Sequence, residues 1–329
     1  MKQALAAGIV RWTGFGALQR FLFARRGVSI VVYHDPDPDI LRQHLAWYAE
    51  RYSFTTLDAV ADAMETGRWG DLPPYPLVIT LDDGHRNNAK LEPLFREFGV
   101  RPTIYLCSRV VGTTRPYWWQ TPAADRIGAE TLKRVPDPER RRLLAEAGND
   151  PDREAGSRQS LTWDEVHGMA RTFDYGAHTR THPILLQCDE RRCTEEILLC
   201  KTELEEATGL PCRHFAFPNG DFGEREIELI RRAGYRTART IEPGWNGAKT
   251  DPLRLKAVPI TDDASVAWMS VQVTGIPAWL RKVKSGSGVK PVEDFPRPAP
   301  LGEGVLDTTS GESHAAKVDI SLPGMPQHL

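Results

Sequence analysis

The chain has 329 residues, of which 40% are hydrophobic and 26% charged, and its formal net charge is −2. This length suits a single large α/β barrel, or one or two ordinary domains with full hydrophobic cores. The balanced charge offers no electrostatic basis for nucleic-acid binding. No stretch of about 18 apolar residues occurs, so we expect no transmembrane helix. Five cysteines without a CxxC pair are expected to be unpaired thiols.

The N-terminal segment, residues 1–27, is basic and contains no acidic residue. Arg11 interrupts its apolar run and no small-residue cleavage site follows, so the segment does not resemble a secretory signal. Basic and large apolar residues alternate in it, as in an amphipathic segment. It either lies on an anionic membrane surface or packs against the rest of the protein. We therefore expect a cytoplasmic protein, which in the first alternative sits peripherally at the inner membrane face.

The first part of the chain alternates between predicted strands and helices. Continuous β-branched apolar runs predict buried parallel strands, and apolar residues spaced for one face predict helices. Up to residue 107 the predicted elements are, in chain order, a strand at 28–33, a helix around 41–48, a short strand at 55–57, a helix capped by Asp58 that ends near Glu65, a strand at 76–81, a helix at 88–98 and a strand at 103–107.

Residues 112–160 are polar and charged, and we expect an excursion with one or two short helices there. A capping box of Thr162 and Glu165 then predicts a new helix. The later elements are, in chain order, a strand at 175–178, helix 190–207, a strand at 214–217, helix 224–233 and closing strands at 237–241 and 255–260. Roughly seven strands alternating with helices predict a closed or nearly closed barrel over residues 28–284. Residues 285–329 are rich in Gly, Pro and Ser, and we expect a disordered tail.

The strand at 76–81 runs directly into Asp82, Asp83 and Gly84. Adjacent carboxylates at a strand end point in different directions, so one can bind a metal ion while the other accepts a proton from water. Gly84 permits a sharp turn after them. Taken alone, this tripeptide is explained more simply by a turn with solvated carboxylates.

His178 and His182 are four residues apart and follow the strand predicted at 175–178. Two neutral imidazoles at this spacing can bind one divalent ion if the segment turns helically. With one aspartate they supply three protein ligands and leave a position for water, which is typical of catalytic rather than structural zinc. The alternative is that the two histidines lie in a loop and do not bind a common ion.

A third candidate, His34, ends the first strand. An imidazole there can protonate a leaving amine or alkoxide. A histidine hydrogen-bonded to a neighbour is the alternative. The chain offers further imidazoles at His44, His85, His167 and His214, and spacing alone does not choose among them.

These motifs resemble the polysaccharide deacetylase family, also called the NodB-homology family or carbohydrate esterase family 4. Its Thr-Phe-Asp-Asp-Gly motif corresponds to residues 80–84, with Leu81 in place of Phe. Its His-Ser/Thr-x-x-His motif is matched fully by residues 178–182. The resemblance extends over about residues 28–260.

The resemblance implies a distorted (β/α)₇ barrel that hydrolyses an acetyl group from a sugar. It implies that Asp82 is the general base and that Asp83, His178 and His182 bind one divalent ion. Zinc is the default for this ligand set, although cobalt or nickel would fit. A carbohydrate or glycolipid is the expected partner.

The third motif of the family, Arg-x-Pro-Tyr, is altered here, because Ala216 stands where its arginine orients the base. Arg86 is our suggested replacement. Asn219 occupies the position whose backbone N–H stabilises the oxyanion, and Pro218 beside it is a predicted substrate contact. The late Leu-x-His motif is missing. A branch of the family with an initial Tyr-His strand takes its acid from that histidine, which favours His34.

Trp118 and Trp119 lie in the excursion and are candidates for stacking on a sugar ring. Packing of the excursion onto the barrel is the alternative. Two other functions remain open: a deformylase or cyclic ureide hydrolase with the same fold, and a non-catalytic carbohydrate-binding relic. A relic would be expected to have lost one of the four motif carboxylates and histidines, and all four are present.

Overall fold

The computed structural model describes residues 27–150, 153–154 and 157–277. The predicted tail and residues 1–26 of the basic segment lie outside these ranges, so both predictions stay untested. Among the described helices, none combines the length and the apolar character needed to cross a membrane. The five cysteines are free, as the sequence predicted, and all five are buried.

The described residues form one sheet of eight parallel strands. Their bounds are β1 Ser29–Tyr33, β2 Ser53–Phe54, β3 Pro76–Leu81, β4 Thr103–Leu106, β5 Asp174–Ala177, β6 His214–Ala216, β7 Thr237–Arg239 and β8 Val258–Pro259. The spatial order is β7-β6-β5-β4-β3-β1-β8, and β2 pairs with β3 beside this path. Seven strands on the main path agree with the predicted (β/α)₇ arrangement.

A short segment after β7 brings the two ends of the sheet together. Leu255 forms a parallel bridge with Arg239, and its N–H donates to the carbonyl of Ala238 at 2.8 Å. A few residues later β8 pairs with β1. The sheet is therefore curled into a distorted barrel, and the predicted fold class is confirmed.

Helices cover the outside of the sheet between successive strands. Their bounds are Pro38–Ala49, Leu57–Thr66, Glu92–Glu97, Pro122–Ile127, Ala129–Leu132, Asp137–Glu146, Trp163–Met169, Glu190–Thr208, Glu224–Arg232 and Val266–Gln272. Short 3₁₀ turns precede or join several of them, including Arg86–Leu91, which replaces the first part of the helix predicted at 88–98. The described part of the excursion contains three α-helices, whereas one or two were predicted.

Two helix caps were predicted from sequence, and one was wrong. Thr162 and Glu165 form the expected capping box. The second helix is capped by Thr56 instead of Asp58, because Thr56 is extended and its Oγ1 accepts from the N–H of Ala59 at 3.2 Å. Asp58 lies within the first turn.

Both faces of the central strands are buried, which explains their continuous apolar sequence. In β1, Ile30 and Val32 belong to one hydrophobic cluster, whereas Val31 and Tyr33 belong to another. Since the strands are parallel, their carboxyl ends meet at the same end of the barrel. That end receives the loops that carry the candidate motifs.

Candidate active site

The loops after β3 and β5 bring Asp83, His178 and His182 together. Each offers one ligand atom, and these atoms lie within 4.8 Å of one another. Asp83 Oδ1 lies 3.5 Å from His178 Nε2 and 3.4 Å from His182 Nε2. Asp83 and His178 are buried, and the side chain of His182 is 12% exposed. The structure thus places the predicted ligands in one cluster.

The two histidines meet through a tight turn and not through a helix. Thr179 and His182 have positive φ values of 65° and 56°, a backbone region that non-glycine residues seldom adopt. The N–H of His182 donates to Thr179 Oγ1 at 3.0 Å and closes the turn. The ring centroids of His178 and His182 are consequently 4.8 Å apart.

Asp83 is also held in the left-handed region, at φ 71°, and Gly84 follows at 79°. A Cβ on Gly84 would approach Leu106 Cδ2 to 2.7 Å. The turn therefore requires glycine at this position both for its backbone conformation and for space. Strained backbone of this kind is typical of functional sites.

Hydrogen bonds around the cluster orient its ligand atoms. His178 Nδ1 lies 2.8 Å from the carbonyl oxygen of Ala216, which can only accept, so Nδ1 donates to it and Nε2 is the atom turned towards Asp83. His85 Nε2 lies 3.1 Å from Asp83 Oδ2. Asp83 Oδ1 is buried without a hydrogen-bond partner, as is His182 Nδ1. A buried, unpartnered carboxylate oxygen between two imidazoles fits a cation site.

The ionisation of the cluster suits metal binding. Burial raises the pKa of Asp83, but the hydrogen bond from His85 and the nearby imidazoles outweigh it, so the pKa lies well below its usual value. Burial lowers the pKa of His182 to about 3, despite the neighbouring carboxylate. At neutral pH the cluster therefore presents a carboxylate and a neutral His182 imidazole.

Asp82 lies beside this cluster and forms a buried ion pair with Arg239. Arg239 Nη2 lies 2.5 and 2.6 Å from the two carboxylate oxygens of Asp82. His178 Nε2 lies 3.9 Å from Asp82 Oδ2. Asp82 is thus close to the cluster, and the guanidinium of Arg239 holds both of its carboxylate oxygens.

The sequence model of the polysaccharide deacetylase family matches residues 70–238, just over half of the chain. This protein belongs to the polysaccharide deacetylase family. The resemblance inferred from the two motifs is confirmed. A search of curated protein sequences returns no match.

Solved structures of deacetylases share the fold. The Streptococcus pyogenes deacetylase PplD, solved in complex with acetate, is 18% identical with a TM-score of 0.56, and the match covers 75% of this chain and 98% of that one. IcaB from Ammonifex degensii is 18% identical with a TM-score of 0.56, covering 76% and 97%. The BpsB deacetylase domain from Bordetella bronchiseptica is 16% identical with a TM-score of 0.52, covering 71% and 96%.

The cation that holds Asp82 is not the one suggested from the sequence. Our suggestion of Arg86 was wrong, because its Nη1 donates to the carbonyl of Arg158 at 3.4 Å. Arg239 on β7 pairs in register with Ala216 on β6, the residue that replaces the motif arginine. The cation therefore comes from the paired position on the adjacent strand. A lone arginine in the middle of the strand predicted at 237–241 was the sequence signal for it.

His85 is the second residue of this site that sequence reasoning did not select. It was one of several imidazoles that spacing could not rank, yet it alone among them hydrogen-bonds Asp83 within the described chain. His44 contacts Tyr33 and Ala264, and the remaining two, His167 and His214, have partners away from the cluster.

His34 lies at the same end of the barrel as the cluster and is exposed. The N–H of Asp82 donates to the carbonyl of Tyr33, directly before His34. The backbone N–H of His34 donates to Asp262 Oδ1 at 3.0 Å, and its carbonyl accepts from Asn88. The backbone of His34 is therefore well anchored. Its role as an acid stays a prediction.

The third motif forms a 3₁₀ turn at Pro218–Gly220. Pro218 is buried, whereas Asn219 is exposed, with φ 57° and its amide 2.6 Å from Asp221 Oδ2. The predicted oxyanion and substrate contacts of these two residues remain untested.

The two tryptophans of the excursion differ. Trp118 is buried, stacks against the Arg140 guanidinium and donates its Nε1–H to the carbonyl of His182 at 2.9 Å. Its ring packs the excursion onto the site, so our prediction of sugar stacking does not suit it. Trp119 is half-buried, with its ring 4.2 Å from that of His182, and stays a candidate.

Proposed function

We propose that this protein is a metal-dependent hydrolase that removes an N- or O-acetyl group from a sugar of a polysaccharide or glycolipid. One observation carries the proposal: a His-His-Asp cluster lies beside a second carboxylate, Asp82, that is held by Arg239 and is outside the ligand set. Such an arrangement separates metal binding from proton transfer. Membership of the deacetylase family supports the reaction class.

Asp83, His178 and His182 would hold the ion through one oxygen and two nitrogen atoms. This donor set suits Zn²⁺ and also accommodates Co²⁺ or Ni²⁺. When bound, the ion would polarise the acyl carbonyl and acidify a water molecule. His85 would keep Asp83 oriented through its other oxygen.

The residues beside the His-His-Asp cluster share the proton transfers of the proposed reaction. Asp82 accepts a proton from the attacking water as the new carbon–oxygen bond forms. The backbone N–H of Asn219 donates a hydrogen bond to the oxyanion. His34 gives a proton to the leaving nitrogen or oxygen as its bond to the acyl carbon breaks. The products are acetate and a sugar with a free amine or hydroxyl.

We favour acetyl as the acyl group because proteins of similar fold are described as deacetylases, and one of them was solved with acetate bound. A deformylase or cyclic ureide hydrolase would use the same protein groups. Release of acetate, as opposed to formate or a ring-opened product, distinguishes these activities.

The deciding experiment measures bound metal and acetate release together, for wild type and His178→Ala, on N-acetylglucosamine oligomers. His167→Ala is the matched control, since His167 is exposed and its ring hydrogen-bonds the carbonyl of Ala207, away from the cluster. We expect one ion per chain in wild type and control, and loss of ion and acetate in His178→Ala. Bound ion without acetate would redirect the search to other amides. Absence of ion from wild type would refute the proposal.

A further inference from the structure

Two neighbouring side chains of the excursion hydrogen-bond the backbone of two predicted metal ligands. The hydroxyl of Tyr117 donates to the carbonyl oxygen of Asp83 at 3.0 Å. The indole Nε1–H of Trp118 donates to the carbonyl oxygen of His182 at 2.9 Å. Asp83 and His182 lie in loops that follow different strands, β3 and β5. Tyr117 and Trp118 therefore connect the two loops that supply the ligand cluster.

These hydrogen bonds are made to the two ligand residues with a left-handed backbone. Asp83 and His182 have φ values of 71° and 56°, whereas His178 is not among the residues with positive φ. This conformation costs free energy for a residue with a Cβ and persists where the surrounding structure holds it. The direction of a carbonyl depends on the ψ angle of its own residue. A hydrogen bond to that carbonyl therefore restrains the residue that bears it.

Tyr117 is fixed against the loop that carries Asp83. It is 1% exposed, and its ring lies 4.8 Å from the ring of His85, which itself contacts Asp83 Oδ2. The backbone N–H of Tyr117 donates to Gln159 Oε1 at 2.8 Å. The backbone carbonyl of Gln159 accepts in turn from the N–H of Arg86 at 2.9 Å. The hydroxyl of Tyr117 is consequently held next to the aspartate by contacts on both sides.

Trp118 is held by the small core of the excursion. The guanidinium of Arg140 lies 4.7 Å from its ring centre. Its indole also belongs to a cluster of buried apolar residues from the excursion helices, with Ala123, Ala124, Leu132 and Leu144. A buried indole N–H needs an acceptor, and the carbonyl of His182 provides it. The packing of the excursion therefore fixes the donor that restrains His182.

We propose that Tyr117 and Trp118 are positioning residues, which together hold Asp83 and His182 in the conformation that binds one metal ion. The proposal rests on the metal site of the proposed function. It gives the excursion a role in that site, because ligands that are already held in place lose less conformational freedom when the ion binds.

The first test measures the Zn²⁺ affinity of the full chain by chelator competition. Tyr117→Phe removes one hydroxyl and keeps the ring. Tyr235→Phe is the matched control, because Tyr235 is also buried and its hydroxyl donates to a backbone carbonyl, that of Ile197, at 3.1 Å. We expect Tyr117→Phe to bind Zn²⁺ about tenfold more weakly, as for loss of an outer contact of a metal ligand, and Tyr235→Phe to match wild type.

Urea unfolding without added metal separates positioning from folding. Each tyrosine variant loses one buried hydrogen bond to a carbonyl, so we expect both to lose similar stability. Only Tyr117→Phe should also lose Zn²⁺ affinity. Wild-type affinity in Tyr117→Phe would overturn the proposal. Equal weakening in Tyr235→Phe would overturn it as well, because the affinity would then follow general stability.

Trp118→Phe tests the second hydrogen bond. It removes the Nε1–H and keeps an aromatic ring in the excursion core, and we expect about tenfold weaker Zn²⁺ binding here too. A folded Trp118→Phe with wild-type affinity would overturn the role of Trp118. Tyr117→Phe leaves the ring in place and keeps the test decisive if Trp118→Phe folds poorly.

The last test measures acetate release from N-acetylglucosamine oligomers over a range of Zn²⁺ concentrations. In Tyr117→Phe the Zn²⁺ concentration for half-maximal rate should rise about tenfold. The rate at saturating Zn²⁺ and the KM for the sugar should stay near wild type. A lower rate at saturating Zn²⁺ with unchanged Zn²⁺ affinity would overturn the positioning role. Tyr117-dependent Zn²⁺ binding with no acetate from wild type would support that role and refute the deacetylase function instead.

Discussion

Arg239 and Asp82 form an ion pair across the barrel, between strands that are not neighbours in the sheet. Three strands separate β7 from β3, yet Arg239 Nη2 contacts both oxygens of Asp82. Arg239 is fully buried and its guanidinium also lies 5.1 Å from the ring centre of Tyr105. The pair therefore fixes the predicted base from the opposite side of the barrel.

Replacing Arg239 should impair catalysis more than substrate binding. In Arg239→Gln the Asp82 carboxylate loses its cation, and we expect kcat to fall ~10–100-fold, less than the ~10²–10⁴ typical of losing a general base. KM and bound metal should change little. Arg239→Lys, which keeps a cation, should recover part of kcat. Steady-state kinetics with metal analysis check this, and an Arg239→Gln variant with normal kcat would contradict the positioning role.

Replacing His85 should weaken metal binding. His85→Phe removes the hydrogen bond to Asp83 Oδ2, and loss of such an outer contact typically costs ~10–100-fold in metal affinity. Chelator competition measures the affinity directly. His167→Phe, at an exposed histidine remote from the cluster, should leave it unchanged. Equal affinities for wild type and His85→Phe would show that Asp83 does not need this support.

Glu196 should stabilise the loop between the two histidine ligands. It is fully buried and accepts from the N–H groups of Arg180 and Thr181, while also pairing with Arg192 at 2.8 Å. Breaking a buried ion pair is strongly destabilising, so Glu196→Gln should lower the free energy of unfolding by on the order of 3 kcal/mol. Urea unfolding tests this. The neighbouring Glu195→Gln removes only an exposed pair with Arg191 and should have little effect. Similar losses in both variants would refute the role of Glu196.

Asp58 should make stability depend on acid pH. The hydrogen bond from His214 and the charges of His214, Arg213 and Arg236 outweigh burial and lower the pKa of Asp58 to about 2. Because the unfolded value is ~3.9, the carboxylate stabilises the fold above that pH, and its contribution is lost as pH falls towards 2. Asp58→Asn should therefore be less stable than wild type at pH 7, and the difference should shrink with acidification.

Urea midpoints between pH 7 and pH 2 measure the Asp58 effect. Asp71→Asn is the control, because Asp71 is exposed and paired only with exposed Arg68 among the ion pairs of the described chain. A constant difference between Asp58→Asn and wild type at every pH would contradict the assignment.

The local sequence pattern was sufficient to predict the strands that carry the site. The largely apolar runs ending at Tyr33 and Leu81 match β1 and β3 to within a residue, because strands buried on both faces hold few polar residues, here only Ser29 and Thr80. The motifs at 80–84 and 178–182 also identified the ligand cluster, since motif spacing is a property of the chain itself. Helix boundaries were less certain, as the Thr56 cap shows, because neighbouring Thr and Asp residues can both cap a helix.

The amino-acid sequence by itself determined the family, the alternation of strands and helices and the identity of Asp82, Asp83, His178 and His182. Only the tertiary structure decided which cation holds Asp82, because Arg239 is 157 residues away along the chain and meets it through the curvature of the sheet. The same holds for the choice of His85 among several imidazoles. Contacts between distant segments depend on register and barrel closure, and neither is encoded in the spacing of any single motif.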